Sequence, residues 1–252
     1  MATAESLAYT ETINGKRYYI IKDQNPLPSV TTVLGAMTDK SGLDAWRKRV
    51  GEEKANQIST FSANRGTVMH QFCEYFLLSE KEERKDKLKE AQVKIYGFCE
   101  EMGFTDKEMA VGRKLFYNFY NNGLFDNIEE IVHIEETLYS SQMGGYAGRV
   151  DTIYRNKKGE LLILDFKTSR KPKKREWVEN YYLQIAAYFM AYWNMTSVKP
   201  KGGEIWISNE QEAFPQVFNV TFDDIMKYGK EFLGMVKEFH KLHPLPAEYI
   251  KK

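Results

Sequence analysis

Asp151, Asp165 and Lys167 flank the turn Asn156-Lys157-Lys158-Gly159 within the stretch Gly148 to Ser169. Two carboxylates offer the hard oxygen ligands that suit Mg²⁺ or Mn²⁺. Placed close together, two such like charges repel unless something positive lies between them. Val150, Thr152 and Tyr154, then Leu161 to Phe166, have strand composition on either side of the turn, so the stretch reads as a β-hairpin. If the loop is the three-residue kind, Lys157 to Gly159 with Gly159 left-handed, Asn156 pairs with Glu160 and Asp151 falls opposite Asp165. Alternation then puts Asp165 and Lys167 on one face, with Asp151 beside them across the ladder, β-carbons about 5 Å apart. A four-residue loop would separate the aspartates onto opposite faces.

The same charges would also serve as a surface ladder of ion pairs, with Arg149 and Lys167 neutralising the two acids. The rest of the hairpin argues against that. Ile153 and Ile163 continue the acid-bearing face, while Val150, Leu162, Leu164 and Phe166 make up the other. A strand apolar on both faces belongs inside a sheet, and acids at the end of a buried strand need a cation.

The order Gly-x-x-Asp151, Asp165-x-Lys167-Thr-Ser, Gln184-x-x-x-Tyr188, with Arg65-Gly66-x-x-x-His70 upstream, resembles the PD-(D/E)xK nucleases, in the branch typified by the RecB nuclease domain. Pro28-Ser-Val-Thr-x-Val-Leu34 and the run from Asp165 to Pro172 are most similar to the mitochondrial genome maintenance exonucleases and their phage relatives. The likeness runs from about Pro28 to the last helix and is faint between Ser79 and Ile128. It implies an α/β fold, a mixed sheet flanked by helices, with a helical insertion. As domains it implies one nuclease unit over 1–252: an N-terminal hairpin and helices over 1–60, an insertion over 79–128 forming part of an arch through which a strand is threaded, and the catalytic sheet and helices over 129–240.

Carried onto these residues, the resemblance makes His70, Asp151, Asp165 and the Phe166 carbonyl the holders of Mg²⁺ or Mn²⁺. It makes Lys167 the group that positions water, and sets Gln184 and Tyr188 one helical turn apart beside the cleft. On its own, a histidine on a partly apolar helix face reads as a core residue. Glu135 resembles the family's strand acid, whereas alternation favours Glu136 beside Val132, Ile134 and Leu138. Substrate contacts are expected from Thr168, Ser169, Lys171 and Lys173 after the metal hairpin, from Ser29 at a helix N-terminus, and from Arg113 and Lys114 in the insertion. Capping alone explains Ser29, and core packing explains most of the rings around Arg113.

The 252 residues are 42% hydrophobic and 28% charged, an ordinary globular balance, and a formal charge of +1 means that any basic surface must be local. Cys73 and Cys99 read as reduced thiols, and two cysteines exclude the four-cysteine iron–sulfur relatives. No window approaches the length of an apolar membrane span. Glu5 and Glu11 precede the first basic residue, unlike an import presequence, so the expected setting is the cytoplasm of a bacterial or phage-infected cell.

The elements that must position these groups follow from pattern. Asn14-Gly15 predicts a hairpin over Tyr9 to Ile21, and Ser29 a cap for a short helix over Val30 to Leu34. Helices are expected over Leu43 to Ile58, Ser62 to Leu78, a solvated charged stretch from Ser79 to Glu101, Asp106 to Tyr120, and Glu176 to Met195 with Trp177 in its aromatic stripe. Strands are expected over Ile131 to Leu138, Glu204 to Ser208 and Gln216 to Val220, then a last helix capped by Thr221 or Asp223. Gly144, Gly145 and Gly148 are expected to give a tight, mobile approach to the hairpin. The function expected is a metal-dependent exonuclease on single-stranded DNA, acting as a monomer. The alternatives are a flap endonuclease of the same fold, an RNA-processing nuclease, or a binding module on a nuclease fold that has lost its activity.

Overall fold

The computed structural model describes residues 8–251. The reading of the first residues as no presequence rests partly on residues 1–7, outside that range. The chain opens with β1 (Ala8–Ile13) and β2 (Lys16–Ile21), joined by an Asn14-Gly15 turn with φ of 50° and 72°, the two positive angles of a type I′ hairpin. β3 (Leu27–Pro28) completes a small three-stranded sheet. Ser29 then caps α1 (Val30–Met37), accepting from the Thr32 N–H at 3.0 Å.

The helix expected over Leu43 to Ile58 is broken. α2 (Ser41–Val50) stops at Gly51, whose φ of 84° and ψ of 147° fall where essentially only glycine goes. A single 27-residue helix, α3 (Glu52–Leu78), follows and includes the whole of the histidine segment. Arg47 ties the corner by pairing with Glu52 and donating to Asn56 Oδ1 at 2.6 Å.

Next come α4 (Arg84–Glu101), α5 (Asp106–Asn121) with a Thr105/Glu108 capping box, β4 (Ile128–Ser140), β5 (Tyr146–Asn156) and β6 (Leu161–Ser169). After them come α6 (Glu179–Thr196), β7 (Gly202–Asn209), β8 (Gln216–Val220) and α7 (Phe222–Leu242), the last capped by Thr221 together with Asp224.

The fold is mixed α/β: a five-stranded sheet ordered β4-β5-β6-β7-β8, with β6 parallel to β7 through the α6 crossover and every other pair antiparallel. β6 is therefore the middle strand. Ile153, Ile163, Ile205 and Ile207 pack beneath α1, α6 and α7, while Tyr154, Leu162, Leu164, Phe166 and Trp206 pack against α3, α4 and α5. Burial on both faces is why β6 reads as a near-continuous apolar run.

The β5–β6 turn is the three-residue one. Asn156 N–H donates to the Glu160 carbonyl at 3.0 Å, Gly159 has φ 76°, and the ladder runs from Arg155↔Leu161 to Thr152↔Leu164. Continued one step, that register sets Asp151 opposite Asp165.

Several expectations give way to packing. The charged α4 is not simply solvated, because Leu88, Ala91, Ile95 and Cys99 are buried against α3. α4 and α5 lie against α3 and the sheet. Phe116 and Phe119 of α5 join Phe76, Phe125, Phe166 and Trp206 in one aromatic cluster on the sheet. Trp177 lies in a short 3-10 turn before α6, so it is not in that helix's stripe. Gly144 and Gly145 serve contact rather than mobility: β-carbons there would lie 2.7 Å from the His240 ring and 2.5 Å from Leu27, and His240 Nε2 hydrogen-bonds the Gly145 carbonyl at 2.7 Å. Cys73 and Cys99 are buried free thiols.

α5 reaches α3 only because residue 112 is glycine, since a β-carbon there would lie 2.5 Å from Val68 Cβ and 2.7 Å from the Arg65 carbonyl. Gly112→Ala is expected to cost about 1–3 kcal/mol, whereas Gly97→Ala in α4, with nothing within 4 Å, should stabilise by about 0.5–1 kcal/mol. Urea unfolding of the two variants measures both signs.

Candidate active site

Beyond Thr152↔Leu164 the β5–β6 ladder opens, and the Asp151 side chain occupies the opening. Its Oδ2 accepts from the Phe166 N–H at 2.7 Å. β5 changes phase here: Val150 and Ile153 both face the α6 core although alternation assigns them to opposite faces, so the placement of Val150 with Leu162 is corrected. β4 changes phase at the same level. Glu135 adopts φ 51°, and the Glu135–Asp151 step is missing from the ladder. This turn of the backbone settles the choice between two glutamates. Glu135 faces the site, while Glu136 is buried beside His133 on the α6 side, against the simple alternation.

His70, on α3, completes the group. Among the described residues, His70, Glu135 and Asp151 each offer a ligand atom within 4.8 Å of the others, and His70 Nδ1 lies 3.6 Å from Asp151 Oδ2. The Phe166 backbone is within bonding reach of the imidazole, and its ring meets His70 edge-on at 6.1 Å. Glu74, one turn on, accepts from Gln71 at 3.0 Å and adds negative charge near His70. Gly66 lies on the same α3 face, with Thr168 Oγ1 3.5 Å from where its β-carbon would be, an ordinary contact that does not require glycine.

Asp165 sits behind this trio, outside the 4.8 Å group and fully buried. The Lys167 ammonium contacts Asp165 Oδ2, yet neither carboxylate oxygen receives a directed hydrogen bond. Lys167 also lies 5.2 Å from the centre of the Tyr181 ring.

Burial lifts the Asp165 pKa to about 6 against the pull of Lys167, and lifts Asp151 as well. Burial and then Asp151 raise Glu135 to about 8, although Arg149 Nε pairs with it at 2.7 Å. Burial and then Lys167 lower His70 to about 4, leaving a neutral imidazole with a free lone pair at neutral pH. Burial works against the charge on Lys167, but Asp165 and Asp151 outweigh it and keep the ammonium protonated.

A cleft of about 430 Å³ opens over the trio, lined by Gly66, His70, Glu74, Glu135, Arg149 and Asp151. A second groove shares Glu135 and Arg149 with it and runs past Tyr9, Arg17, Thr31, Gln184 and Tyr188. Gln184 Nε2 donates to the Tyr188 hydroxyl at 3.0 Å. Gly148 lets β5 pass this close, since a β-carbon there would lie 2.6 Å from the Tyr188 ring.

The expected substrate contacts divide. Thr168 is partly exposed beside Gly66, and Lys171 is exposed over the Trp177 ring. Lys173 is half-buried, its backbone clasped by Gln216. The other four make contacts within the fold, Lys114 while exposed. Ser29 is buried by its cap and bonds both Thr31 and Thr32, and Ser169 donates to the Lys171 carbonyl at 2.7 Å. Arg113 donates to Gln92 and lies against Tyr96, and Lys114 donates to the Glu210 carbonyl. Arg149 and Arg17 were missed as cleft residues. Arg149 could have been found from its place two residues before Asp151 on an alternating strand, but nothing local marks Arg17.

A family profile described as the PD-(D/E)XK nuclease superfamily matches residues 42–242. Among solved structures, the chain is similar to SSO0001, with 16% identity, 71% of this chain and 76% of that one covered, and a TM-score of 0.35. It is similar also to a Eubacterium rectale protein described as "Putative exonuclease", with 15% identity, 71% and 65% coverage and a TM-score of 0.43. No curated protein matches in sequence.

Glu135 at about 8 and Asp165 at about 6 are raised above their unfolded values, so each favours folding fully below its unfolded pKa and loses that contribution as pH rises through the folded one. Without metal, thermal stability should therefore fall between pH 5 and 8, and Glu135→Gln should flatten the fall. Millimolar Mg²⁺ should raise the melting temperature more at pH 8 than at pH 5.5. Differential scanning calorimetry at the two pH values checks all three.

Proposed function

We propose, for a chain that belongs to the PD-(D/E)XK nuclease superfamily, a metal-dependent deoxyribonuclease that removes nucleotides from the ends of single-stranded DNA, in the RecB-like branch beside the mitochondrial genome maintenance exonucleases and their phage relatives. The observation that carries this reading is the convergence of His70, Glu135 and Asp151 within 4.8 Å, in front of a fully buried Asp165 whose carboxylate meets the Lys167 ammonium. One neutral imidazole and a set of hard carboxylate oxygens fit Mg²⁺ or Mn²⁺. The holders would be His70, Glu135 and Asp151, with Asp165 and the Phe166 carbonyl behind them. A divalent ion there supplies Lewis acidity at the scissile phosphate and lowers the pKa of a nearby water.

The chain's own groups do the rest. Lys167, kept protonated by two aspartates, orients the attacking water and offers positive charge to the phosphoryl oxygens as bond making proceeds. Tyr188, its hydroxyl held protonated by burial and then by Asp165 and Asp151, stays a hydrogen-bond donor at the cleft wall, with Gln184 fixing its direction. Arg149, half-exposed between the two clefts, is placed to meet a strand phosphate. Thr168, Lys171 and Lys173 line the exit from β6 and are proposed as further backbone contacts.

Lys167→Ala should keep oligonucleotide binding within a few-fold and lose about two to three orders of magnitude in cleavage, with a melting curve confirming that it is folded. A fully active Lys167→Ala protein overturns the assignment. For the wild type, end-labelled linear single strands should disappear with Mg²⁺ and survive chelator, while closed circles persist. Cleaved circles would replace the exonuclease reading with an endonuclease one.

A further inference from the structure

A second cavity adjoins the metal cleft and plays no part in the chemistry above. It measures about 390 Å³ and is lined by Lys54, Phe61, Ser62, Arg65, Lys107 and Arg170, with Glu210 as its single acid. Ser62 belongs to both cavities, so the two are continuous along one face of α3. Four cations face one carboxylate, in a chain whose overall charge is only +1.

Lys54, Lys107 and Arg170 are exposed around a buried Arg65. The Arg65 side chain is only 5% exposed, its guanidinium pairs with Glu210, and its Nε has no hydrogen-bond partner. Arg65 and Lys107 both lie over the Phe61 ring, at 5.9 and 5.5 Å from its centre. Burial and then the neighbouring Arg170 lower the Arg65 pKa, and burial, Lys171 and Arg65 lower that of Lys173. Four cations gathered around one carboxylate leave a local excess of positive charge that an anion would relieve.

We infer that this cavity is a phosphate-binding subsite, which holds a phosphate of the nucleic-acid strand whose scissile bond lies over His70, Glu135 and Asp151. The inference rests on the nuclease reading. Its distance from the cut follows from helix geometry: Arg65 and Phe61 lie roughly 7.5 and 13.5 Å along the α3 axis from His70 at 1.5 Å per residue, or about two to four nucleotides at the ~3.4 Å spacing of a stacked strand. Both sources of that phosphate, an internal diester or a terminal monophosphate, present the same charged oxygens to Arg65, Lys107 and Arg170.

The test uses Lys54→Glu/Lys107→Glu, two exposed positions, with a melting curve as fold control. Binding of a labelled single-stranded dodecamer is measured by fluorescence anisotropy in chelator, across a salt series, and cleavage is measured with Mg²⁺. The expected result is at least tenfold weaker binding, a salt slope shallower by about 1.4 for two lost phosphate contacts at 0.7 each, and a raised KM with kcat changed less than threefold. Dodecamers with and without 5′- or 3′-terminal phosphate form the remaining arms. A loss confined to one phosphorylated end assigns a terminal phosphate, and an equal loss on all assigns an internal one. Unchanged affinity and slope on every substrate overturn the subsite while leaving the nuclease reading intact. If the wild type cleaves nothing but the binding difference appears, the nuclease reading fails and the phosphate site stands.

Discussion

A carboxylate with no exposed surface, Asp165 on the middle strand of the sheet, is the constraint the site is built around. An ionised acid in that position is several kcal/mol unfavourable unless positive charge accompanies it. Lys167, two residues along the same face, supplies that charge, and burial still lifts Asp165 to about 6. Three further ionisable groups, Asp151, Glu135 and His70, are then brought up to the same strand end, each shifted towards its neutral form. The arrangement favours a cation over the charge-balanced state that a purely structural ion pair would reach.

The two helical layers hold this imbalance in place. On one side α6 presents Tyr181, Gln184 and Tyr188 to the acids. On the other α3 presents His70, held against Phe166 by an aromatic cluster that continues through Phe119 and Trp206. Because α3 is unbroken from Glu52 to Leu78, the same helix carries the imidazole and, nearer its start, Arg65 and Phe61. Acidic cleft and basic cavity thus share one rigid element, and Gly112 is what allows α5 to brace it.

Local chemistry decided what was legible. Asn14-Gly15 and the turn ending at Gly159 each fix a hairpin within a few residues, so strand pairing and the Asp151–Asp165 register could be counted from the chain. Ser29 and Thr221 were readable as caps because a side-chain oxygen three residues before a free N–H needs no distant partner. The resemblance drew in His70, Gln184 and Tyr188, which no spacing rule would connect to the hairpin. Charge composition does not separate contact from packing: Arg113 and Lys114 have the residue types of a DNA contact and also donate to Gln92 and the Glu210 carbonyl.

By itself, the sequence determined the hairpin, the burial of β6 on both faces and the acids and lysine at the strand end, since each depends on neighbours in the chain or on alternation along a strand; the register held only for a three-residue loop, and the mixed sheet came from the resemblance. Only the tertiary structure decided that Glu135 rather than Glu136 enters the site, that Val150 leaves the face alternation gives it, and that Lys54, Arg65, Lys107 and Arg170 meet in one cavity. The first two follow from a paired break in phase of β4 and β5, marked by a left-handed Glu135 that no local signal encodes. The third follows from α3, α5 and the end of β6 packing together across long sequence separations, where proximity is fixed by the shared core and not by the spacing of the residues themselves.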